Sequence, residues 1–164
     1  MYIFGHAGTA LAAARAIDRE VDPRWAVLLT LAPDLIDKPG SQLWPALVNH
    51  NTRGFGHTLL FSLVVLGALL AWKRRPKPAL VLWGCYAAHF LCDSMWRENN
   101  PVILFWPLLG DFPRPVRDHF FSEFMLWVFV AEIAGLIFLV KLARRHGLLE
   151  RRRFAAFLRS GRLA

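Results

Sequence analysis

The chain has 164 residues, 55% of them hydrophobic, with 20 Lys+Arg against 12 Asp+Glu. So apolar a chain collapses, which excludes disorder; two cysteines, Cys85 and Cys92, cannot staple a domain of this length, which excludes a disulfide scaffold. A net charge of +8 points to nucleic acid or to an anionic membrane surface, and its distribution along the chain chooses between them.

In chain order, Gly5–Ile17 and Arg24–Pro33 read as Ala- and Leu-rich helices, short for independent spans, that form a hairpin packed on the rest. Asp18–Pro23 is the turn between them, and Pro33, Pro39 and Gly40 end the second. Three longer apolar stretches follow. Gly54–Trp72 has no Lys, Arg, Asp or Glu, Ala79–Trp96 has only Asp93, and Phe124–Leu142 is interrupted by Glu132 and Lys141. A bilayer core of about 30 Å takes roughly 17–25 helical residues, so each stretch is long enough to cross. The expected fold is all-α: an integral membrane bundle of three transmembrane helices plus an N-terminal helical pair, over residues 1–146. Residues 147–164 form a basic amphipathic cytoplasmic tail, carrying Phe154, Phe157 and Leu158 among arginines.

The cations follow this topology. Lys73, Arg74, Arg75 and Lys77 join the first two spans, and Lys141, Arg144, Arg145 and Arg151–Arg153 follow the third. With Arg15, Arg19, Arg24 and the rest of the tail, one side holds 15 basic residues. The other holds five, so the positive-inside rule assigns the rich side to the cytoplasm. The basic excess is therefore read as topology rather than nucleic-acid binding.

The polar residues then gather at the opposite, non-cytoplasmic end. His6 begins the first helix, Asp34 and Asp37 close the second, and His57 begins the first span; His89 and Asp93 end the second, and His119 and Glu123 open the third. His89-x-x-x-Asp93 and His119-x-x-x-Glu123 each put imidazole and carboxylate on one helical face. Ionisable groups at membrane depth are expensive and mark function. Imidazole nitrogen with carboxylate oxygen suits zinc, manganese or iron(II), and a catalytic zinc site with an open position lowers the pKa of its water to about 7. Either Asp34 or Asp37 could supply the carboxylate from the second helix; Asp37 is taken as the metal ligand, with Asp34 in a catalytic role beside it. Arg53, four residues before His57, has a guanidinium that matches phosphate bidentately or anchors at the interface. Glu132, deeper in the third span, reads as a structural hydrogen-bonding group to Tyr86, Ser62 or another helix.

His6, Pro33-Asp34-Leu35-Ile36-Asp37, Arg53-x-x-x-His57-Thr58 and His89-x-x-x-Asp93 with the following Pro101…Pro107 loop resemble the bacterial inner-membrane metal-dependent hydrolases described as LexA-binding or LexA-regulated. That family is distantly similar to zinc-dependent phospholipase C. The resemblance implies that Asp34 or Asp37, His57, His89 and Asp93 hold one metal, that His6 is an early ligand, and that His119 and Glu123 serve a second ion. Asn99 and Asn100 stand where a further ligand of that second ion is expected, so one or two ions are implied rather than three.

The resulting expectation is a multi-pass enzyme of the bacterial inner membrane. It cleaves a phosphoester of a lipid or lipid-linked substrate with metal-activated water, and Arg53 steadies the phosphate. Trp44, Trp96, Phe105 and Trp106 would line its mouth or form an aromatic belt. A transporter and a regulatory protein with a structural metal are the rival readings.

Overall fold

The computed structural model describes residues 3–115 and 123–163, and of 123–125 only the backbone. The described residues form seven α-helices and one 3-10 turn, with no strand. Helix α1 (Ile3–Ile17) turns through Asp18–Asp22 into α2 (Pro23–Leu43). Asp22 caps α2, its carboxylate accepting from Arg24 N at 3.0 Å, and Pro23 occupies the first helical position, where no donor is needed. The expected end near Pro33 is wrong. Helix α2 continues through Pro33 and Pro39 because a buried Pro33 is held by its surroundings, and packing overrides the bond each proline removes.

The 3-10 turn Phe55–His57 leads into α3 (Leu59–Lys73), capped by Thr58 Oγ1, which accepts from Phe61 N at 3.1 Å. Helix α4 (Pro76–Cys92) returns, and the short α5 (Asn100–Leu104), α6 (Glu123–Arg145) and α7 (Arg151–Ser160) follow. One core joins Leu11, Ala14, Ala26, Leu69 and Leu82, with Phe138 and Leu142 of α6 against it; a second, beside the site, joins Tyr86, Phe90, Met95, Ile103 and Phe112.

Three spans were expected. Among the described residues one helix, α6 over Leu126–Arg145, is long and apolar enough to cross a membrane. The uncharged stretch from Gly54 gives its first five residues to the 3-10 turn and cap, so that α3 has 15 residues with Lys73 included, and Pro76 and Asp93 bound α4 at 17. At 1.5 Å per residue these two helices are about 23 and 26 Å long. Both α3 and α6 nonetheless turn apolar side chains outward, with Val64 61% and Leu126 70% exposed. Surfaces of that kind mark a membrane or partner contact.

Helices α1 and α6 touch at backbone distance: a Cβ on Gly135 would collide with the Phe4 carbonyl, and one on Gly8 with Gly135 Cα. Glu132 accepts from Phe4 N at 3.0 Å and Gly5 N at 2.9 Å, so the one acid of the α6 span is met by the positive end of α1. Its partner is therefore neither Tyr86, which donates to Gly56 O, nor Ser62, which accepts from Trp83. At the other end Lys77 pairs with Asp18 at 3.9 Å, and Arg24 Nη1 donates to Leu158 O at 2.6 Å. The basic turns and α7 thus share the end away from His6, His57 and His89.

Candidate metal centre

Asp37 lies 4% exposed near the end of α2, facing the loop that carries His57. Its carboxylate accepts from Gly54 N (2.7 Å), Gly56 N (2.8 Å) and His57 N (3.1 Å), and from His57 Nδ1 at 2.6 Å. Glycine is required for that approach, since a Cβ on Gly56 would sit 2.9 Å from the Pro33 carbonyl oxygen. On α4, His89 Nδ1 lies 2.7 Å from Thr30 O. A carbonyl only accepts, so His89 Nδ1 carries the proton and Nε2 presents a lone pair; the carboxylate on His57 Nδ1 imposes the same tautomer.

In the neutral rings the two lone pairs confront each other. His57 Nε2 and His89 Nε2 are 3.0 Å apart and both rings are fully buried. Asp34 Oδ1 stands 3.9 Å from each of these nitrogens, and Asp93 Oδ2 stands 3.8 Å from each. All four donor atoms lie within 4.8 Å of one another. Ligands at about 2.0–2.1 Å around tetrahedral zinc are about 3.3 Å apart, so these separations bracket what a divalent ion needs. Two neutral imidazoles and two carboxylates with no proton between the facing nitrogens fit such an ion, which relieves the repulsion.

The other expected residues divide clearly. His6 stacks on His89 (centroids 4.1 Å apart, planes 11° apart), with Nε2 3.2 Å from Asp93 Oδ1, although neither ring nitrogen has a well-aligned hydrogen bond. It lies beside the four rather than among them. Arg53 is fixed from two sides, Nε 3.5 Å from Asp93 Oδ2 and Nη1 3.3 Å from Asn100 Oδ1. Of the two α2 acids, Asp34 faces the cluster and Asp37 stands behind His57, the reverse of assigning Asp37 as ligand and Asp34 as its accessory. His119 lies outside the described residues, as does the side chain of Glu123.

A family model under the description YdjM inner membrane protein matches residues 1–159, a stretch that contains every residue of this cluster. The chain belongs to the YdjM inner membrane protein family. No curated protein and no solved structure matches it. The YdjM description bears out the inner-membrane part of the resemblance and names no reaction, so it supports neither the hydrolase nor the phospholipase C part.

Sequence reasoning missed three groups in this YdjM-family site. Thr30 acts through its carbonyl, which no side-chain pattern betrays. Tyr86 donates to Gly56 O at 2.5 Å and holds the loop from below, hidden in an aromatic run. Lys38 Nζ pairs with Asp34 Oδ2 at 2.7 Å, and its position four residues after Asp34 was a readable signal. Of the aromatic residues expected at a mouth, Trp44 and Trp96 are exposed, whereas Trp106 stacks on Phe112 with centroids 5.3 Å apart.

Proposed function

We propose that this chain is a multi-pass inner-membrane hydrolase that cleaves a phosphoester of a lipid or lipid-linked molecule with the help of a divalent ion, most simply zinc. In this reading α3 and α4 lie in the bilayer with α6, and the site opens at the non-cytoplasmic end. The observation that carries it is the facing pair of imidazole nitrogens, 3.0 Å apart with their other nitrogens already committed, flanked by Asp34 and Asp93.

His57, His89, Asp93 and Asp34 would hold the ion, which when bound supplies Lewis-acid polarisation of water and of a phosphoryl oxygen. Asp37 and the Thr30 carbonyl lock the two rings in the donor tautomer and orientation. Arg53, immobilised by Asp93 and Asn100, presents its remaining N–H groups to a phosphate and offsets its charge. Hydrolysis puts the water oxygen on phosphorus and breaks the phosphorus–oxygen bond to the alcohol, which leaves with one of the water's protons. A transport conduit is disfavoured, because Glu132, Ser62 and Tyr86, the polar groups leading inward, are already engaged in structural hydrogen bonds.

The test is zinc analysis of detergent-purified protein, followed by a screen of phospholipid and isoprenoid phosphate substrates. His89→Ala is expected to abolish both zinc retention and hydrolysis while helical content persists. Normal hydrolysis by that variant sinks the reading.

A further inference from the structure

A cavity of about 220 Å³ opens directly on Asp34 and Asp93. We infer that it is a subsite for a dianionic phosphate monoester with a small polar head, gripped by Lys38, Arg53 and Arg114. The inference rests on the metal-dependent hydrolase reading and names the substrate class of that same site.

Three observations carry it. The first is charge. Among the described residues, the ionisable ones lining the cavity are Lys38, Arg53 and Arg114 against Asp34, Asp93 and Glu98, three of each sign. Asp37 faces backbone N–H groups and His57 instead. With neutral imidazoles, a divalent ion leaves this described lining two positive charges in excess. A phosphate monoester, carrying about −1.5 to −2 at pH 7, balances that excess; a singly charged diester does not. The second is preorganisation, since Asn100 and Asp93 hold the Arg53 guanidinium at the rim before any ligand arrives. The third is size: the cavity falls below the roughly 300–1,000 Å³ of pockets for drug-sized ligands, so it admits a phosphate with a short head and leaves acyl chains outside.

The experiment uses the full chain, zinc-loaded, in phosphatidylcholine nanodiscs, titrated calorimetrically with glycerol 3-phosphate and with the diester glycerophosphocholine. The monoester is expected to bind about tenfold tighter or better, and the Lys38→Ala/Arg114→Ala double variant to lose about tenfold or more of that affinity. Both side chains are exposed, and zinc content reports whether the variant keeps its site. Equal affinity for the two esters, or an unchanged double variant, with zinc retained, overturns the subsite and spares the metal reading. Failure of the unaltered chain to hold zinc overturns both. Replacing part of the phosphatidylcholine by phosphatidic acid assigns the source: competition with glycerol 3-phosphate identifies a lipid headgroup, and its absence a soluble ester.

Discussion

Replacing Asp37 with Asn removes a carboxylate that accepts four N–H groups between 2.6 and 3.1 Å at a buried position. With its one acceptor oxygen in place of Oδ2, which takes Gly54 N, His57 N and His57 Nδ1, an asparagine turns its NH2 group toward Gly56 N, so that bond is lost and the other three become neutral ones. At about 1.5–3 kcal/mol for a bond to a charged group and about 0.5–1.5 kcal/mol for a neutral one, the folded state loses about 3–6 kcal/mol. His57 is also released from its orientation, and removing such an outer partner of a ligand weakens metal binding by about 10–100-fold. Asp34→Asn behaves in the opposite way. Its carboxylate is partly exposed and paired with an exposed Lys38, a pair contributing about 0–1 kcal/mol, yet Oδ1 is one of the four clustered donors. The assay is thermal unfolding of the zinc-free protein in detergent, alongside chelator competition for zinc. Asp37→Asn is expected to unfold at a much lower temperature, and Asp34→Asn to keep its unfolding temperature while losing more zinc affinity. An unchanged midpoint for Asp37→Asn, or unchanged zinc affinity for Asp34→Asn, would refute the division of roles.

Three further outcomes are expected. Tyr86→Phe deletes a buried donor to Gly56 O and costs about 1–2 kcal/mol in the unfolding equilibrium, with a smaller loss of zinc affinity than Asp37→Asn. Glu132→Ala leaves Phe4 N and Gly5 N without their acceptor; a cost of about 1–3 kcal/mol appears as faster amide exchange in the first turn of α1. Free zinc at a hundred times its dissociation constant stabilises the fold by about 2.7 kcal/mol, so a chelator lowers the unfolding midpoint of the unaltered chain and not that of His57→Ala.

The helical class and the convergence of His57, His89 and Asp93 were legible because both rest on spacing. His89 and Asp93 are one turn apart at the end of an apolar stretch, and any helix there puts them on one face. The choice between Asp34 and Asp37 was not legible. It depends on the path of α2 past Pro33, where local propensity predicts an end and burial imposes continuation. The length of α3 was misread for a related reason: Gly54–Thr58 is as uncharged as a membrane span, but its glycines serve a tight turn around Asp37. The partner of Glu132 was out of reach, since the bond joins backbone and side chain 127 and 128 residues apart in the chain.

Zinc-edge X-ray absorption on the zinc-loaded protein measures the proposed donor set itself. The expected spectrum has nitrogen and oxygen donors at about 2.0–2.1 Å and the outer scattering of two imidazoles, both lost in a His57→Ala/His89→Ala variant. A sulfur donor at about 2.3 Å, pointing to Cys92, or a zinc environment unchanged in that variant, would contradict a centre built on Asp34, His57, His89 and Asp93.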